Sequence, residues 1–590
     1  MEEKSPENTA VEQISDTRHK EIQNAEDLAT QNSYAAKADD SDGHVPMTPR
    51  RFLAMAFLYM SFAGKSPTST SEVLKVDRLG VAGANLPLFF TVGSLSYIQK
   101  DVGNPATQGW AGTTYGIAVA ALIPFCGYLQ DLFGRRYFTV FGCFMMCLGA
   151  VVEGTAHSFT QLIFALVISG FGAAIVELSS VAGIAEVVSV KNRGLALSLL
   201  TGFILPWAPY QLYSELLASH TTWRWTMWIN LMYNALCFVG VLFTYFPESH
   251  HRADGIGKIE ALKQLDFMGG FLSLSSVVLF LFALQSGDSL YPWASAKVLV
   301  PLIIGVLLAF VFVVWEVKGA KYPMVPASIF QGQRIVGPAL VLSFTIGMDL
   351  YAVLTFMPLA FGAIYDSDPK SIGIKALGYA FGQTLGATVG NIMMTLIKTH
   401  QRAILAIGCV SMATFIASLA LMSPDNVHTA VALTTLAGWS VGWVINPLNT
   451  VALSGTRDLF IATVIGLLLS TRYLGGSIGY SIYYAVFTAK AKKKLPNYVA
   501  AAVAKAGLPL TEIQQFVGIF LTNPEAISEV KGITPSIIQA ATAASKSAYA
   551  DSMKFVWYTS IPFGVACVIG VLVMKSTTKF VTNRVAARLE

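Results

Sequence analysis

Residues Gly127–Tyr137 read "GYLQDLFGRRY", with long apolar runs on both sides. So short a charged stretch between two greasy segments has the form of a turn at the edge of a bilayer. Gly127 is small enough to let neighbouring helices approach closely. Gly134 supplies a tight turn without a Cβ penalty. Asp131 places a negative charge at the membrane edge, where a helix N-terminus or an arginine can meet it. Arg135 and Arg136 are the kind of charge that short cytosolic loops collect.

The composition agrees with a membrane setting. Of 590 residues, 54% are hydrophobic and 13% charged. Soluble domains carry about 25% charged residues, so most of this chain does not face water. A net charge of +5 is too weak to argue for nucleic acid. The six cysteines fall in apolar segments without metal-ligand spacing; Cys143 and Cys147, four apart, read as small buried thiols. No metal site or cofactor is expected. There is no Walker A sequence for ATP drive. The H-E-x-x-H and G-x-S-x-G motifs and clustered membrane histidines are also missing, so no catalytic residue is assigned and an enzyme is not expected.

A bilayer span needs about 20 mostly apolar residues. Such segments lie near 110–129, 137–155, 162–182, 195–217, 227–246, 267–284, 298–317, 336–361, 374–397, 403–422, 429–453, 459–487 and 556–574. A broken first segment brings the total to about fourteen. With the N-terminus inside, Arg135, Arg136, Lys191, Arg193, Arg252, Lys258, Lys263, Lys321, Arg334, Lys398 and Arg402 fall in cytosolic loops. The short outer loops hold fewer. The long loop 490–554 carries "KAKKK" outside, which long loops tolerate. Two readings of it are open: short amphipathic helices over the outer mouth, or a solvated connector.

The opening stretch resembles the G-x-L-x-D-x-x-G-R-R loop of the major facilitator superfamily, matching at Gly127, Leu129, Asp131, Gly134, Arg135 and Arg136. Four further stretches narrow the branch: "TWRWTMWIN" (Thr222–Asn230), "LDFMGG" (Leu265–Gly270), "STRYLGGSIGYSIYYAVF" (Ser470–Phe487) and "AEVVSVKNRG" (Ala185–Gly194). They resemble fourteen-helix drug:proton antiporters. Together they look most like the fungal trichothecene efflux pump branch, sister to the siderophore transporters. The resemblance covers the chain from Phe52 to Met574. It implies an all-α polytopic major facilitator fold of 6 + 2 + 6 helices, and a gating contact between Asp131 and a helix start near Arg457–Leu459. Two departures stand out. Leu166 occupies the place of the usual fourth-span arginine, and "LPWAPYQLYSE" keeps Pro209 but lacks the fifth-span glycines. Pro206 and Pro209 are expected to kink that span.

An ionisable group at membrane depth is a functional hypothesis by default. Glu177, Asp349, Glu215 and Arg472 stand out. Glu177 and Asp349 come from opposite halves and could both face a central cavity and carry protons. The other open reading is a structural partnership with Arg472 or backbone carbonyls. Glu153, Glu186 and Glu215 lie near span ends and are expected to reach the interface. Tyr210, Tyr213, Trp225, Trp228, Tyr351, Trp439, Trp443, Tyr473 and Tyr480 are candidates for a cavity lining or an interfacial belt.

Residues 1–50 read as a disordered cytosolic tail, 51–250 as the first six-helix half, 251–333 as a linker helix pair, 334–576 as the second half and 577–590 as a cytosolic tail. Within the first half, "FAGKSPTSTSEVLKVDRLGVAGANLPLFF" interrupts a span with charges and Pro67, which a lipid-facing helix does not accept. Gly64-Lys65 can be encoded with a donor-like GTAAG and Ala82-Gly83 with an acceptor-like CAG. Residues 64–83 therefore read as a retained intron or mispredicted gene model; a real insertion at a broken first helix is the alternative.

The expectation is a monomeric secondary transporter in the plasma membrane, or alternatively a vacuolar or vesicle membrane, with both termini cytosolic. Its partners are protons, the lipid bilayer and a small amphipathic metabolite or toxin, exported by alternating access. Iron–siderophore import and a non-transporting membrane sensor are the rivals.

Overall fold

The computed structural model describes residue 84 and residues 86–589, apart from 104–107, 203, 249–262, 264, 288–289, 331–333, 367, 523–526, 528–531 and 582–587. The tail 1–50, the insert 64–83, Arg252 and Lys258 lie outside the described residues. Apart from a two-residue ladder of Pro247–Glu248 with Arg588–Leu589, the regular structure described is helical.

Twelve helical stretches are long and apolar enough to cross a membrane. The first half holds α1 (Leu86–Gly93), α2 (Leu95–Val102), α3 (Gln108–Phe133), α4 (Arg136–Gly154), α5 (Phe159–Val187), α6 (Arg193–Gly202), α7 (Tyr210–His220) and α8 (Arg224–Thr244). The linker pair is α9 (Phe267–Ser286) and α10 (Ala296–Val314). The second half holds α11 (Val336–Ala360), α12 (Pro369–Leu396), α13 (Gln401–Ser418), α14 (Val427–Ser454), α15 (Ile461–Lys505), α16 (Leu510–Thr522) and α17 (Pro535–Val573). The 28-residue α12 is long enough to span but is not among the twelve. The helices α1 and α2, eight residues each, are individually too short to cross.

Polar residues set a few of the helix starts by accepting from otherwise orphaned amides. Ser158 caps α5 at the Gln161 amide, and Asp266 caps α9 at the Gly269 amide, 2.7 Å away. Asp368 caps α12 at the Ser371 amide, with Pro369 in the first turn. The fifth span breaks where prolines fall: α6 ends at Gly202, Pro206 sits in a tight turn (Leu205–Trp207), and Pro209 precedes α7. A proline ring removes an amide donor and clashes with the preceding turn, so one straight helix cannot form there.

Within the first half, α4 packs on α5 and α8, α3 on α5, and α1 on α7. Within the second, α12 packs on α14, and α15 and α11 on each other and on α17. The halves meet through α3 against α15, α6 and α7 against α12, and α5 against α15. The linker pair leans on α3 through α9. Met324, beyond α10, is buried against Tyr128 and Leu132 of α3, which fastens the pair to the helix of the opening motif. The outer face of α10 (Val300, Ile303, Phe310, Val313) is exposed and suits lipid contact.

The loop 490–554 holds one short helix of the expected kind, α16, but most of it differs from both sequence readings. The 45-residue α15 and 39-residue α17 run on beyond the membrane as helices. At 1.5 Å per residue α15 is about 67 Å long, twice the ~30 Å hydrocarbon core. With α16 the extensions form a small apolar cluster of Val499, Val503, Leu508, Phe516, Val517, Ile537 and Ala541.

Candidate functional site

The turn that connects α3 to α4 forms one end of the contact between halves. Gly134 has φ +89°, the left-handed region that favours glycine. This turns the chain so that Asp131 and Arg135 both point into the bundle, 7% and 2% exposed. Asp131 accepts three hydrogen bonds from the first turn of α15: the Ala462 amide (3.1 Å), the Thr463 amide (2.8 Å) and the Thr463 hydroxyl (2.7 Å). The first amides of a helix have no acceptor within it and carry its positive end, so a carboxylate satisfies both needs. The partner is thus a few residues beyond the Arg457–Leu459 expected from sequence.

Two arginines brace this arrangement. Arg135 reaches Asp131 at 3.3 Å and Glu186 at 2.6 Å. Arg193, 1% exposed, donates to the Ala185 carbonyl (2.7 Å) and, across the halves, to the Leu453 carbonyl (2.9 Å), with Asp458 at 3.8 Å. Arg136 instead lies over the Phe246 ring at 3.6 Å. Gly127 explains the closeness of α3 and α15: a Cβ there would stand 2.7 Å from the Ala462 carbonyl oxygen.

Deeper in the bundle, a cavity with about 130 Å³ of room lies between the halves. Its walls come from α1, α5, α6, α7, α11, α12, α14 and α15. Glu177 lines it and is 2% exposed. Its Oε1 accepts from Arg472 at 2.7 Å and its Oε2 from the Tyr473 hydroxyl at 3.1 Å. The cation at this cavity comes from α15; Leu166 does not line it. Phe89, Trp207, Tyr210 and Leu354 give the cavity apolar walls, while Thr201, Gln383, Thr384 and Asn446 supply uncharged polar groups. Phe89 and Tyr210 stack with centroids 4.4 Å apart. Ligand pockets usually offer about 300–1,000 Å³, so the cavity as it stands is small for a bulky organic ligand.

Several sequence expectations change. Asp349 does not face the cavity. It is 1% exposed inside the second half, where the Tyr483 hydroxyl of α15 donates to it at 3.4 Å. Glu177 is paired with Arg472, the structural partnership left open for it. Glu153, Glu186 and Glu215 do not reach the interface: they are 0%, 8% and 5% exposed. Glu153 accepts from Ser169 at 2.7 Å between α4 and α5. Of the aromatics, Tyr210, Tyr351 and Tyr473 line the cavity; Trp225 is exposed, and Trp439 and Trp443 pack together away from it. Sequence reading passed over Gln383 and Asn446, which look like any span-interior amide, and saw Arg193 only as loop charge. Among the described residues no group of His, Cys, Asp and Glu could hold a metal.

The family model for the fungal trichothecene efflux pump (TRI12) matches residues 74–590. The chain belongs to this family. It is similar to the trichothecene efflux pump TRI12 of Fusarium sporotrichioides, 25% identical over 87% of each chain. The MFS-type transporter prx5 of Penicillium rubens is 26% identical, over 88% of this chain and 94% of the relative. Among solved structures, the human organic anion transporter MFSD10 overlays with TM-score 0.48 at 11% identity, covering 88% of this chain and all of the other. The protein is a multi-pass membrane transporter of the efflux type, with the major facilitator fold. Siderophore import and a sensor role are not favoured by these relatives.

Proposed function

We propose that this pump exports a small, oxygen-rich, amphipathic secondary metabolite of trichothecene type across the plasma membrane, in exchange for protons. The observation that carries the reading is the Glu177–Arg472 pair in the wall of a cavity between the halves. A buried ion pair is weak evidence for stability, because desolvation offsets most of its attraction. Its use is as a switch. A proton on Glu177 cancels the charge that holds Arg472 and frees the guanidinium to meet a substrate oxygen. Proton and substrate then compete, which is the requirement for antiport. Threonine, amide and tyrosine groups among aromatic walls suit a neutral ring system bearing hydroxyl, ether and ester oxygens.

In this reading the two halves, 51–250 and 334–576, rock about the cavity, and the linker pair 251–333 moves with α3 through Met324. The Asp131 contact is the cytosolic gate, with Gly127 and Gly134 shaping it and Arg135 bracing it, while Arg136 anchors the same turn on the Phe246 ring. Pro206 and Pro209 supply the bend beside the cavity. Asp349 is not assigned to the proton path. The pump acts as a monomer with cytosolic termini.

The test uses a labelled trichothecene. Yeast expressing the protein should accumulate less of it than control cells, and inside-out vesicles should take it up under an imposed pH gradient. Glu177→Gln should lose that pH dependence. Equal accumulation with and without the protein would remove the substrate assignment. Parental pH dependence in Glu177→Gln would make Glu177 structural.

A further inference from the structure

Away from the gate, beyond the cavity, α7 carries a second buried carboxylate. Glu215 is 5% exposed. Its Oε1 accepts from Gln211 at 3.3 Å, and its Oε2 makes no hydrogen bond of good geometry among the described residues, with the Tyr97 hydroxyl of α2 beside the carboxylate. It is not alone. Ser214 Oγ on α7, and Thr91 Oγ1 and Ser94 Oγ at the end of α1, are also buried without partners among the described residues. The two helices touch here: a Cβ on Gly93 would stand 2.6 Å from Ser214 Oγ. A buried polar atom without a partner costs about 1–3 kcal/mol, so several in one place suit a region that takes up water.

Glu215 is also connected inward. Gln211, its hydrogen-bond donor, lines a small cavity with about 20 Å³ of room, enough for about one water molecule. Ala208, Tyr210, Leu354 and Ala380 line both that cavity and the central one. Glu215 lies five residues further along α7 than Tyr210, about 7 Å along the axis towards the far face. The titratable neighbours that face it are Tyr97 from α2 and Asp368 at the start of α12. Arg224 of the adjoining α8 is engaged with Asp101.

We propose that Glu215 is the proton-loading group of the far face, passing protons through the Gln211-lined cavity to the central site. A proton moves from bulk water onto the Glu215 carboxylate. It leaves as a hydrated proton into the small cavity, and Glu215 returns to its ionised form. The proton ends on the Glu177 carboxylate, whose charge it cancels. This assignment rests on the proton-exchange reading above.

The first test needs no substrate. The full chain in lipid nanodiscs is compared by infrared difference spectroscopy between acid and alkaline pH. The parent should show a titrating protonated-carboxyl band that Glu215→Gln removes and Glu215→Asp retains at a shifted frequency. A band set unchanged in Glu215→Gln overturns the proposal. The second test uses the labelled trichothecene in vesicles. Glu215→Gln should keep exchange of labelled for unlabelled toxin without a gradient, and lose uptake driven by a pH gradient. Loss of both makes Glu215 structural and overturns the proposal, as does retention of both. Parallel measurement of Glu177→Gln separates the two readings. If it keeps the pH drive while Glu215→Gln loses it, the central pair fails as the coupling site, and Glu215 stands as the loading group with Glu177 overturned as its destination. A parent without pH-driven uptake overturns both.

Discussion

Replacing Asp131 with Asn should open the gate between α3 and α15. In the parent the carboxylate accepts from the Ala462 amide, the Thr463 amide and the Thr463 hydroxyl, at 2.7–3.1 Å. Asparagine keeps one carbonyl oxygen for these donors and turns an NH2 group towards the rest. Hydrogen bonds to a charged group are worth about 1.5–3 kcal/mol each. With its carbonyl at the Oδ2 position, asparagine loses the Ala462 bond and keeps the two Thr463 bonds at about half strength without the charge, about 3 kcal/mol in all, or roughly a 100-fold shift towards the open form. Hydrogen exchange reads this directly. Ala462 and Thr463 lie in the first turn of α15, where amides have no intrahelical acceptor, so their protection depends on Asp131 and on gate closure. In purified protein, protection of the Ala462 and Thr463 amides should fall by about 100-fold, and on the proposed reading flux of the labelled trichothecene should fall with it. Unchanged protection in a folded Asp131→Asn protein would refute the argument.

Gly127→Ala should act on the same contact by steric means. Its Cβ would stand 2.7 Å from the Ala462 carbonyl, so exchange at 460–465 should rise without any change of charge; parental protection there would contradict it. On the far face, Asp101 accepts from the Trp223 indole (3.0 Å) and pairs with Arg224 (2.6 Å). The Trp223 hydrogen bond, then that from Arg224, holds its carboxyl below the ordinary aspartate value. The latch is therefore complete at neutral pH and is lost as pH falls through the lowered value, below about pH 4. Tryptophan fluorescence should change there, and Asp101→Asn should abolish the transition. Phe516→Ala empties the centre of the small outer cluster, where Phe516 is fully buried, at a cost of about 3–5 kcal/mol. Limited proteolysis should then cut between residues 506 and 534 while the spanning helices persist. For residues 64–83, sequencing of mature transcripts should recover a species in which their codons are excised; transcripts that all encode Lys65 to Ala82 would establish a real insertion.

The contact between α3 and α15 was readable in sequence because its residues break the apolar pattern. Gly134, Asp131 and the two arginines have no place in a lipid-facing helix, so their spacing carries information. Depth is readable for the same reason: a charge within an apolar run marks membrane depth. The facing direction is not. The middle of α11 is buried on every side, every residue from Thr345 to Val353 included. Nothing in the run around Asp349 therefore distinguishes the cavity from the interior of the second half. Glu153 and Glu215 failed differently. Their distance from the helix end allowed them to reach water, but Ser169 on a neighbouring helix and the α1–α7 contact decided otherwise. The outer ends of α15 and α17 were missed because apolarity was the guide. "NYVAAAVAK" and "IIQAATAASKSAYA" are rich in alanine, the best helix former, and helix continues in water after the bilayer ends.

A single helix ties the gate to the cavity. Along α15, Ala462 and Thr463 meet Asp131, Ser470 donates to the Ala120 carbonyl at 2.7 Å, and Arg472 and Tyr473 meet Glu177. Thr463 and Arg472 are nine residues apart, about 13 Å along the axis. Asp131, Ala120 and Glu177 all belong to the first half, and every partner on α15 to the second. Such contacts act as successive clasps on one rod, so a rocking motion must release them together or in order along the rod. The lower clasp consists of a carboxylate on helix amides, with Arg135 and Glu186 beside it. The upper one is a single carboxylate held by Arg472 and the Tyr473 hydroxyl, with no helix amides among its donors. On the proposed reading, the proton therefore acts at the weaker point. It frees Arg472 while Asp131 still holds the cytosolic end, so the cavity can change its occupant before the gate lets go.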